Sequence, residues 1–185
     1  LRCVLAAMPA DGPINMRNRA LLSCIVLTGA RDNAVASLRL KHLDVSAQRL
    51  FQDSREVRTK ASKSMTTSFF PVGDEFVKPL EAWVGWLLDE ALWGPDDPLF
   101  PPSKVGVGEG KRFEAVGFSR QCWTTAGPVR EIFKEACAKA GLPYFNPHSV
   151  RNTLARLGVE VCQTPHSLWV WSQNLGHEHL MTTLG

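Results

Sequence analysis

The fold is decided by residues 14–30, which read INMRNRALLSCIVLTGA. Apolar side chains recur there at nearly helical spacing, which predicts a helix. Gly29 falls where that helix would end, because glycine readily adopts the backbone conformation of a helix C-terminus. Arg31 follows two residues later, so the same stretch brings a cation to the end of an apolar helix.

A second strong pattern covers residues 74–93, which read DEFVKPLEAWVGWLLDEALW. Its apolar stripe predicts an amphipathic helix and consists of Val77, Leu80, Val84, Leu87, Leu88 and Leu92. We expect Trp83 and Trp86 to extend this stripe into the core rather than to stack on a ligand. Further helices are predicted over residues 32–39 (capped by Asp32 or Asn33), 118–141 (ending at Gly141), 147–161, from Pro165 onward and after Gly176.

The β structure is expected to be small. Two strand-like runs, residues 48–59 and 65–72, flank the polar turn at 60–63 and predict a β-hairpin. Residues 94–117 contain four Pro and five Gly, which favours a long loop. The predicted fold is therefore mainly α with a small antiparallel β-sheet, an α+β class, and 185 residues suit one compact domain.

The composition is that of an ordinary globular protein, with 44% hydrophobic and 21% charged residues. No stretch reaches the roughly 18 uncharged apolar residues of a membrane span, so no membrane partner is expected. Residues 1–63 hold 11 Lys/Arg against 5 Asp/Glu, and the remainder holds 10 against 13, so net charges of +6 and −3 give the total of +3. A basic first third fits a polyanionic partner or a solvated face. Five cysteines without a C-x-x-C pair indicate a reducing, cytoplasmic compartment.

Four short motifs carry side chains suited to phosphate chemistry. Arg31 ends TGAR, Lys63 lies in the hairpin turn, His148 and Arg151 form H-x-x-R at a helix start, and His177 ends LGH. Guanidinium and ammonium groups bind phosphate oxygens, and imidazole transfers protons near neutral pH. Singly, each residue is more typical of a surface cation or of a residue at a helix end, so the inference rests on their order and spacing.

In that order, the set R…K…H-x-x-R…G-H resembles the catalytic domain of the tyrosine recombinases, the phage integrase family. TGAR followed by SLRLKHLDV resembles the family's first box, HSVRNT its second and LGHEHLMTT its third. Lys63 lies eight residues before Pro71, the family's usual spacing between the hairpin lysine and the proline that ends the next strand. The resemblance runs from about Asn15 to Gly185 and implies that residues 1–185 form a single tyrosine-recombinase-like catalytic domain.

The resemblance implies site-specific DNA recombination or integration, by strand cleavage and religation through a 3′-phosphotyrosyl intermediate. Arg31 and Arg151 would hold the non-bridging oxygens of the scissile phosphate, and Lys63 would protonate the departing 5′ oxygen. His148 would act as acid or base near the nucleophile, and His177 would donate a hydrogen bond to the phosphate. This scheme uses no cofactor and no metal.

The sequence departs from the family pattern at two places. Ala34 stands three residues after the first arginine, where the family usually has Glu or Asp, unless Asp32 replaces that contact. The family's tyrosine, about nine residues after the third-box histidine, would fall at position 186, one past Gly185. Tyr144, the only tyrosine of the sequence, is expected to be structural. We therefore expect a domain truncated at both ends, without an N-terminal DNA-binding domain or the tyrosine segment, and inactive as a fragment.

Double-stranded DNA is the expected partner. The candidate DNA contacts beside the first box and in the hairpin are Arg39, Lys41, Arg55, Arg58 and Lys60. Binding should weaken steeply with salt, because phosphate contacts release counterions. By resemblance the parent protein is a tetramer on DNA, in the cytoplasm of a bacterium or a phage-infected cell, whereas the fragment is expected to be a monomer.

Three alternatives stay open at the level of sequence. A type IB topoisomerase would use the same constellation to relax supercoils without exchanging sites. A catalytically dead DNA-binding protein of the same fold would fit Ala34 and the missing tyrosine. A zinc site would need Cys162, His166, His177 and His179, whose spacing matches no zinc motif.

Overall fold

Helices make up most of the regular structure. The computed structural model describes residues 1–107 and 113–184. The helices in those ranges are α1 (Arg2–Ala7), α2 (Gly12–Thr28), α3 (Asp32–Val35), α4 (Asp74–Asp89), α5 (Gly127–Lys139), α6 (His148–Val161), α7 (Pro165–Asn174) and α8 (Met181–Leu184). The strands are β1 (Leu43–Asp44), β2 (Arg49–Gln52), β3 (Met65–Ser68), β4 (Ser103–Val107) and β5 (Phe113–Phe118). The predicted class, mainly α with small antiparallel sheets, is confirmed.

Helix α2 is the centre of the molecule. It is buried on nearly all faces over its last two turns, where Leu21, Leu22, Cys24 and Ile25 have no exposed surface. A helix that is apolar all round is stable only inside a core. Gly29 follows with φ of 61°, and its N–H donates to the carbonyl of Ile25 at 2.8 Å. The predicted helix and its glycine end are confirmed, with a start two residues earlier.

Helix α4 packs against α2. Its buried side chains recur every three or four residues and are Phe76, Leu80, Trp83 and Leu87. The indole N–H of Trp83 donates to the carbonyl of Leu99 at 2.8 Å, and Trp86 stacks on Trp83 with ring centroids 5.2 Å apart. The core role of both tryptophans is confirmed. The predicted stripe is wrong at Leu88 and Leu92, which are 48% and 75% exposed. Leu88 follows buried Leu87 by one residue and so lies off the buried face, and Leu92 lies beyond the end of the helix at Asp89.

Strands β1, β2 and β3 form one antiparallel sheet in that order. The pairing of β2 with β3 places Leu50 opposite Thr67 and confirms the predicted hairpin. Its strands are shorter than predicted, and residues 53–64 connect them instead of a four-residue turn. The physical reason is Val57, which is buried and draws the connection back onto the core.

Strands β4 and β5 were not predicted. They pair antiparallel, with Ser103 opposite Phe118, in the stretch expected to be a loop except for Phe118, which was predicted to begin a helix. The glycine and proline content indicated a loop there. The strands form nevertheless, because their hydrogen bonds join backbone groups, which amino-acid composition does not describe. Residues 108–112 of the expected loop lie outside the described residues.

Other element boundaries also differ from expectation. Helix α3 ends at Val35 instead of at residue 39, and its cap position is occupied by Arg31, not by Asp32 or Asn33. Helix α5 begins at Gly127, nine residues later than predicted, and α1 was missed. The predicted helices at α6, α7 and α8 are confirmed. Among the described helices, none combines the length and apolar character needed to cross a membrane.

Candidate active site

A cleft of about 270 Å³ opens between the β2–β3 connection and the segment that joins α7 to α8. Its ionisable lining residues are Arg31, Lys60, Lys63, Glu178, His177 and His179. Three of the five predicted catalytic residues, Arg31, Lys63 and His177, therefore share one cleft although they lie far apart in sequence. Cations dominate the lining, so the cleft is suited to an anion.

Arg31 is positioned by the rigid end of α2. The hydroxyl of Thr28 donates to the carbonyl of Cys24 at 2.6 Å and accepts the N–H of Ala30 at 3.1 Å. A Cβ at Gly29 would lie 3.1 Å from both Leu154 and Leu175, so α6 and the end of α7 approach the backbone closely at this glycine. The half-buried Arg31 thus projects from a turn that packing and hydrogen bonds hold on every side.

Arg151 is the structural link between the site segments. It lies on α6, is 4% exposed, and donates to the carbonyl of Gly29 at 2.6 Å and to the carbonyl of Leu175. Burial lowers the pKa of Arg151 to about 10, and the charge of Arg31 acts in the same direction. The side chain still carries its charge at neutral pH. Arg151 does not line the cleft, but its buried charge is bonded to the carbonyls two residues before Arg31 and His177.

His177 is oriented by two buried hydroxyl groups. Its Nδ1 lies 2.9 Å from the hydroxyl oxygen of Thr183, and Thr183 donates to the hydroxyl of Ser172 at 2.9 Å. Since Thr183 gives its proton to Ser172, its oxygen accepts the proton of Nδ1, and this network assigns the neutral ring the Nδ1–H tautomer. Burial is the main cause that lowers the pKa of His177, and the positive charges of Arg151, Arg31 and His148 lower it further.

His148 is the first residue of α6 and is exposed, one turn before Arg151. Its backbone N–H donates to the side chain of Asn146 at 3.0 Å, which fixes the helix start. It does not line the cleft, but its charge contributes to the lowered pKa of His177.

Lys63 follows a tight turn in which Ala61 and Ser62 have φ of 57° and 50°. Its ammonium group forms an ion pair with the carboxylate of Glu178, and this contact lowers the pKa of Glu178. Both side chains are largely exposed at the mouth of the cleft. Sequence reasoning missed Glu178, although its place directly after His177 in the third box was a usable signal.

Two packing contacts hold the end of α7 in place. The side-chain amide of Asn174 accepts the N–H of Ser68 and donates to its carbonyl, both at 2.8 Å. A Cβ at Gly158 would lie 2.5 Å from the ring of Trp171, whose N–H donates to the carbonyl of Leu154 at 2.9 Å. The position of His177 therefore depends on β3 and on α6.

Of the candidate DNA contacts, Lys60 lines the cleft. Lys41 forms ion pairs with Asp96 at 2.7 Å and Glu56 at 2.8 Å, and Arg39 donates to the carbonyl of Asp96. These two side chains tie the first motif to the 95–98 segment.

The remaining two candidates also contact the protein itself. Arg55 forms an ion pair with Asp53 at 2.6 Å. Arg58 donates to the carbonyls of Trp123 and Thr124 at 2.8 and 2.9 Å, which anchors the loop before α5.

The sequence departures have structural counterparts. Ala34 is buried at 1% exposure, and Asp32 pairs with Arg130 at 2.7 Å rather than with Arg31. Tyr144 is 46% exposed and is not among the residues that line the cleft. Across residues 1–107 and 113–184, no group of three or more His, Cys, Asp or Glu is arranged to hold a metal. The four residues of the zinc alternative are therefore not brought together as a metal site.

Comparison with known proteins places this geometry in a family. The model of the phage integrase family matches residues 3–184. The chain is 30% identical over 186 residues to tyrosine recombinase XerD of Neisseria meningitidis, covering 97% of this chain and 53% of the relative. It is 28% identical over 174 residues to tyrosine recombinase XerC of Escherichia coli, covering 94% and 49%. The chain therefore spans about half the length of these relatives.

Two solved structures share the fold. The crystal structure of XerA recombinase superposes with a TM-score of 0.68 at 20% identity, over 99% of this chain and 54% of that one. The structure of XerH site-specific recombinase bound to palindromic difH substrate gives 0.64 at 21%, over 98% and 46%. At these identities the likeness is one of fold, but the family match spans nearly the whole sequence. The chain belongs to the phage integrase family of tyrosine recombinases.

Proposed function

We propose that the chain is the catalytic part of a site-specific DNA recombinase, which cleaves and rejoins strands through a 3′-phosphotyrosyl intermediate. The observation that carries the proposal is that Arg31, Lys63 and His177 line one cationic cleft, while buried Arg151 bonds the backbone next to Arg31 and His177. Family membership supports the same reading, because the relatives named above are recombinases.

The two arginines stabilise the charge that develops on the scissile phosphate. Attack on a phosphodiester adds negative charge to the non-bridging oxygens, and fixed guanidinium groups bind such oxygens in pairs. Arg151 is held by the carbonyls of Gly29 and Leu175, and its five N–H groups leave others for the phosphate. Preorganised donors of this kind typically contribute about 10²–10³ each to the rate.

Lys63 and the histidines move protons. Lys63 protonates the departing 5′ oxygen, and its place on an exposed turn lets it reach a phosphate in the cleft. His148 acts as acid or base near the nucleophile. A phosphate beside His177 favours the doubly protonated ring, whose Nε2–H donates to a non-bridging oxygen while Nδ1 stays on Thr183.

The nucleophile in this proposal is a tyrosine other than Tyr144, which lies outside the cleft. The test uses a nicked DNA substrate that traps the covalent intermediate, incubated with the protein that contains these 185 residues. We expect a protein–DNA adduct that survives denaturation and is lost in Arg31→Ala and Lys63→Ala. The 185-residue chain alone should form no adduct, and an adduct mapped to Tyr144 would contradict the proposal.

Assays of plasmid relaxation, strand exchange and DNA retardation separate the alternatives. A type IB topoisomerase relaxes a supercoiled plasmid without joining two sites, whereas a recombinase exchanges strands between duplexes that carry its target. A DNA-binding protein without catalysis gives neither product but retards the duplex. We further propose that the protein works as a tetramer on double-stranded DNA, which sedimentation with and without DNA tests.

Lys60 is the candidate phosphate contact with the best placement, since it lines the cleft beside Lys63. Arg39, Lys41, Arg55 and Arg58 already bind acceptors of the protein. We propose that they contact DNA only where a phosphate replaces or joins those acceptors.

A further inference from the structure

Glu178 stands out in the cleft because its charge opposes the rest of the lining. It is the one carboxylate among the described lining residues, whereas Arg31, Lys60 and Lys63 are cations. An acidic side chain at a phosphate site repels the ligand that the site attracts, so its presence calls for a role.

The carboxylate of Glu178 contacts the ammonium group of Lys63 directly. This is the group assigned to protonate the leaving oxygen, and it accounts for the largest part of the lowered pKa of Glu178. Lys60 and His179 add smaller contributions in the same direction. Glu178 therefore interacts with the cations that face the cleft mouth rather than with a distant partner.

We propose that Glu178 is a positioning residue that holds Lys63 in the DNA-free protein and releases it to the scissile phosphate when DNA binds. The inference rests on the proposed function and deepens it, because it gives the phosphate an internal competitor for the general acid. The carboxylate and the phosphate offer the same anionic oxygens to one ammonium group, and their mutual repulsion disfavours both being present at once.

The exposure of the pair makes this exchange feasible. Both side chains are more than 60% exposed, at 63% and 64%. Ion pairs in such settings are weak and are screened by salt. A weak pair suits a contact that must open in each cycle, whereas a buried one would resist displacement.

The test begins with the DNA-free protein. Lys63 is labelled with an amine-acylating reagent and quantified by peptide mass spectrometry in wild type, Glu178→Gln, Glu178→Asp and Glu131→Gln. Glu131 pairs with Lys134 on the exposed side of α5 and provides a control with the same change in charge. We expect labelling of Lys63 to rise about three- to five-fold in Glu178→Gln, to stay near wild type in Glu178→Asp, and to be unchanged in Glu131→Gln.

The second arm adds a short fluorescent DNA duplex and, in the protein that contains the chain, the trapping substrate. Glu178→Gln should bind the duplex about three- to five-fold more tightly at low salt, with little change in the rate of cleavage at saturating DNA. Glu131→Gln should do neither. This split between affinity and saturated rate separates a competitor from a merely structural residue.

The outcomes are distinct. Unchanged labelling of Lys63 in Glu178→Gln overturns the ion pair and the inference with it. Changed labelling with the same DNA affinity as Glu131→Gln overturns the exchange alone and leaves the proposed function standing. Changed labelling with no DNA binding by any variant overturns the proposed function itself.

Discussion

At the scale of single residues, Arg151 has the largest structural role of the candidate site residues. It is nearly fully buried and joins the carbonyls of Gly29 and Leu175, which end two different helices. The order of motifs in the sequence identified it as a phosphate ligand by resemblance. The sequence did not indicate that the same guanidinium also assembles the site.

We predict that Arg151→Lys lowers both stability and activity. A lysine keeps the charge but lacks the planar fork that reaches two carbonyls, so one buried acceptor loses its partner at a cost of about 1–3 kcal/mol. Urea unfolding measures this change. Arg156→Lys, on an exposed position of the same helix, should stay within about 0.5 kcal/mol of wild type. Equal effects of the two substitutions would show that the bridge contributes nothing.

A second residue-scale prediction concerns pH. Because the folded-state pKa of His177 lies below its usual value of 6.5, the unfolded chain binds the proton more readily. Stability contributed by the neutral ring is fully present above 6.5 and is lost as pH falls toward the folded pKa. His177→Asn, whose amide can still donate to Thr183, should reduce this loss when unfolding is measured between about pH 7 and pH 5. Some loss of stability at low pH should remain in the variant, because burial also lowers the pKa of His42. The same pH slope in wild type and variant would contradict the assignment.

At the scale of elements, periodicity identified most of the helices but not all of their boundaries. The apolar pattern predicted α2 and α4 because burial along a helix repeats in the sequence. The pattern missed β4 and β5, which are held together by backbone pairing from Ser103 opposite Phe118 to Val107 opposite Phe113. The predicted four-residue turn failed because burial of Val57 is a tertiary effect that no local pattern encodes.

The contact of α6 with α7 gives a matched pair of glycine substitutions. Gly158→Ala would place a methyl group 2.5 Å from the ring of Trp171, and this overpacking should cost about 1–3 kcal/mol. Gly85, within α4, has no atom within 4 Å of the same methyl position. Gly85→Ala should therefore stabilise the protein by about 0.5–1 kcal/mol through helix propensity. Thermal unfolding of both variants checks the two signs, and a stabilising Gly158→Ala would refute the close approach.

At the scale of the whole molecule, the structure shows where some of the excess positive charge of residues 1–63 lies. Residues 1–63 carry a net charge of +6 and supply Arg31, Lys60 and Lys63 to the cleft, while the remainder carries −3 and supplies His177 and Glu178. From the sequence alone, the basic residues of this third could equally have formed a solvated face without a partner. In the fold, Arg31, Lys60 and Lys63 from this third line the cleft of the candidate active site.

This distribution predicts how DNA affinity depends on salt. The logarithm of the binding constant for a short duplex should fall linearly with the logarithm of salt concentration, because bound phosphates release counterions. Lys60→Ala should reduce that slope by about one. Lys134→Ala, on α5 and outside the cleft, should leave it unchanged. Fluorescence anisotropy over a salt series measures both slopes, and parallel lines for wild type and Lys60→Ala would exclude Lys60 as a phosphate contact.

The contact of Asn174 with Ser68 also affects association between copies of this protein in solution. Strand β3 is an edge of its sheet, and unpaired edges can recruit strands from other chains. The Asn174 amide occupies both backbone groups of Ser68 as a neighbouring strand would. The side chain that places the candidate-site segment thereby also blocks the edge against intermolecular β-pairing. Asn174→Ala should therefore make the protein aggregate more readily at high concentration, as light scattering would detect.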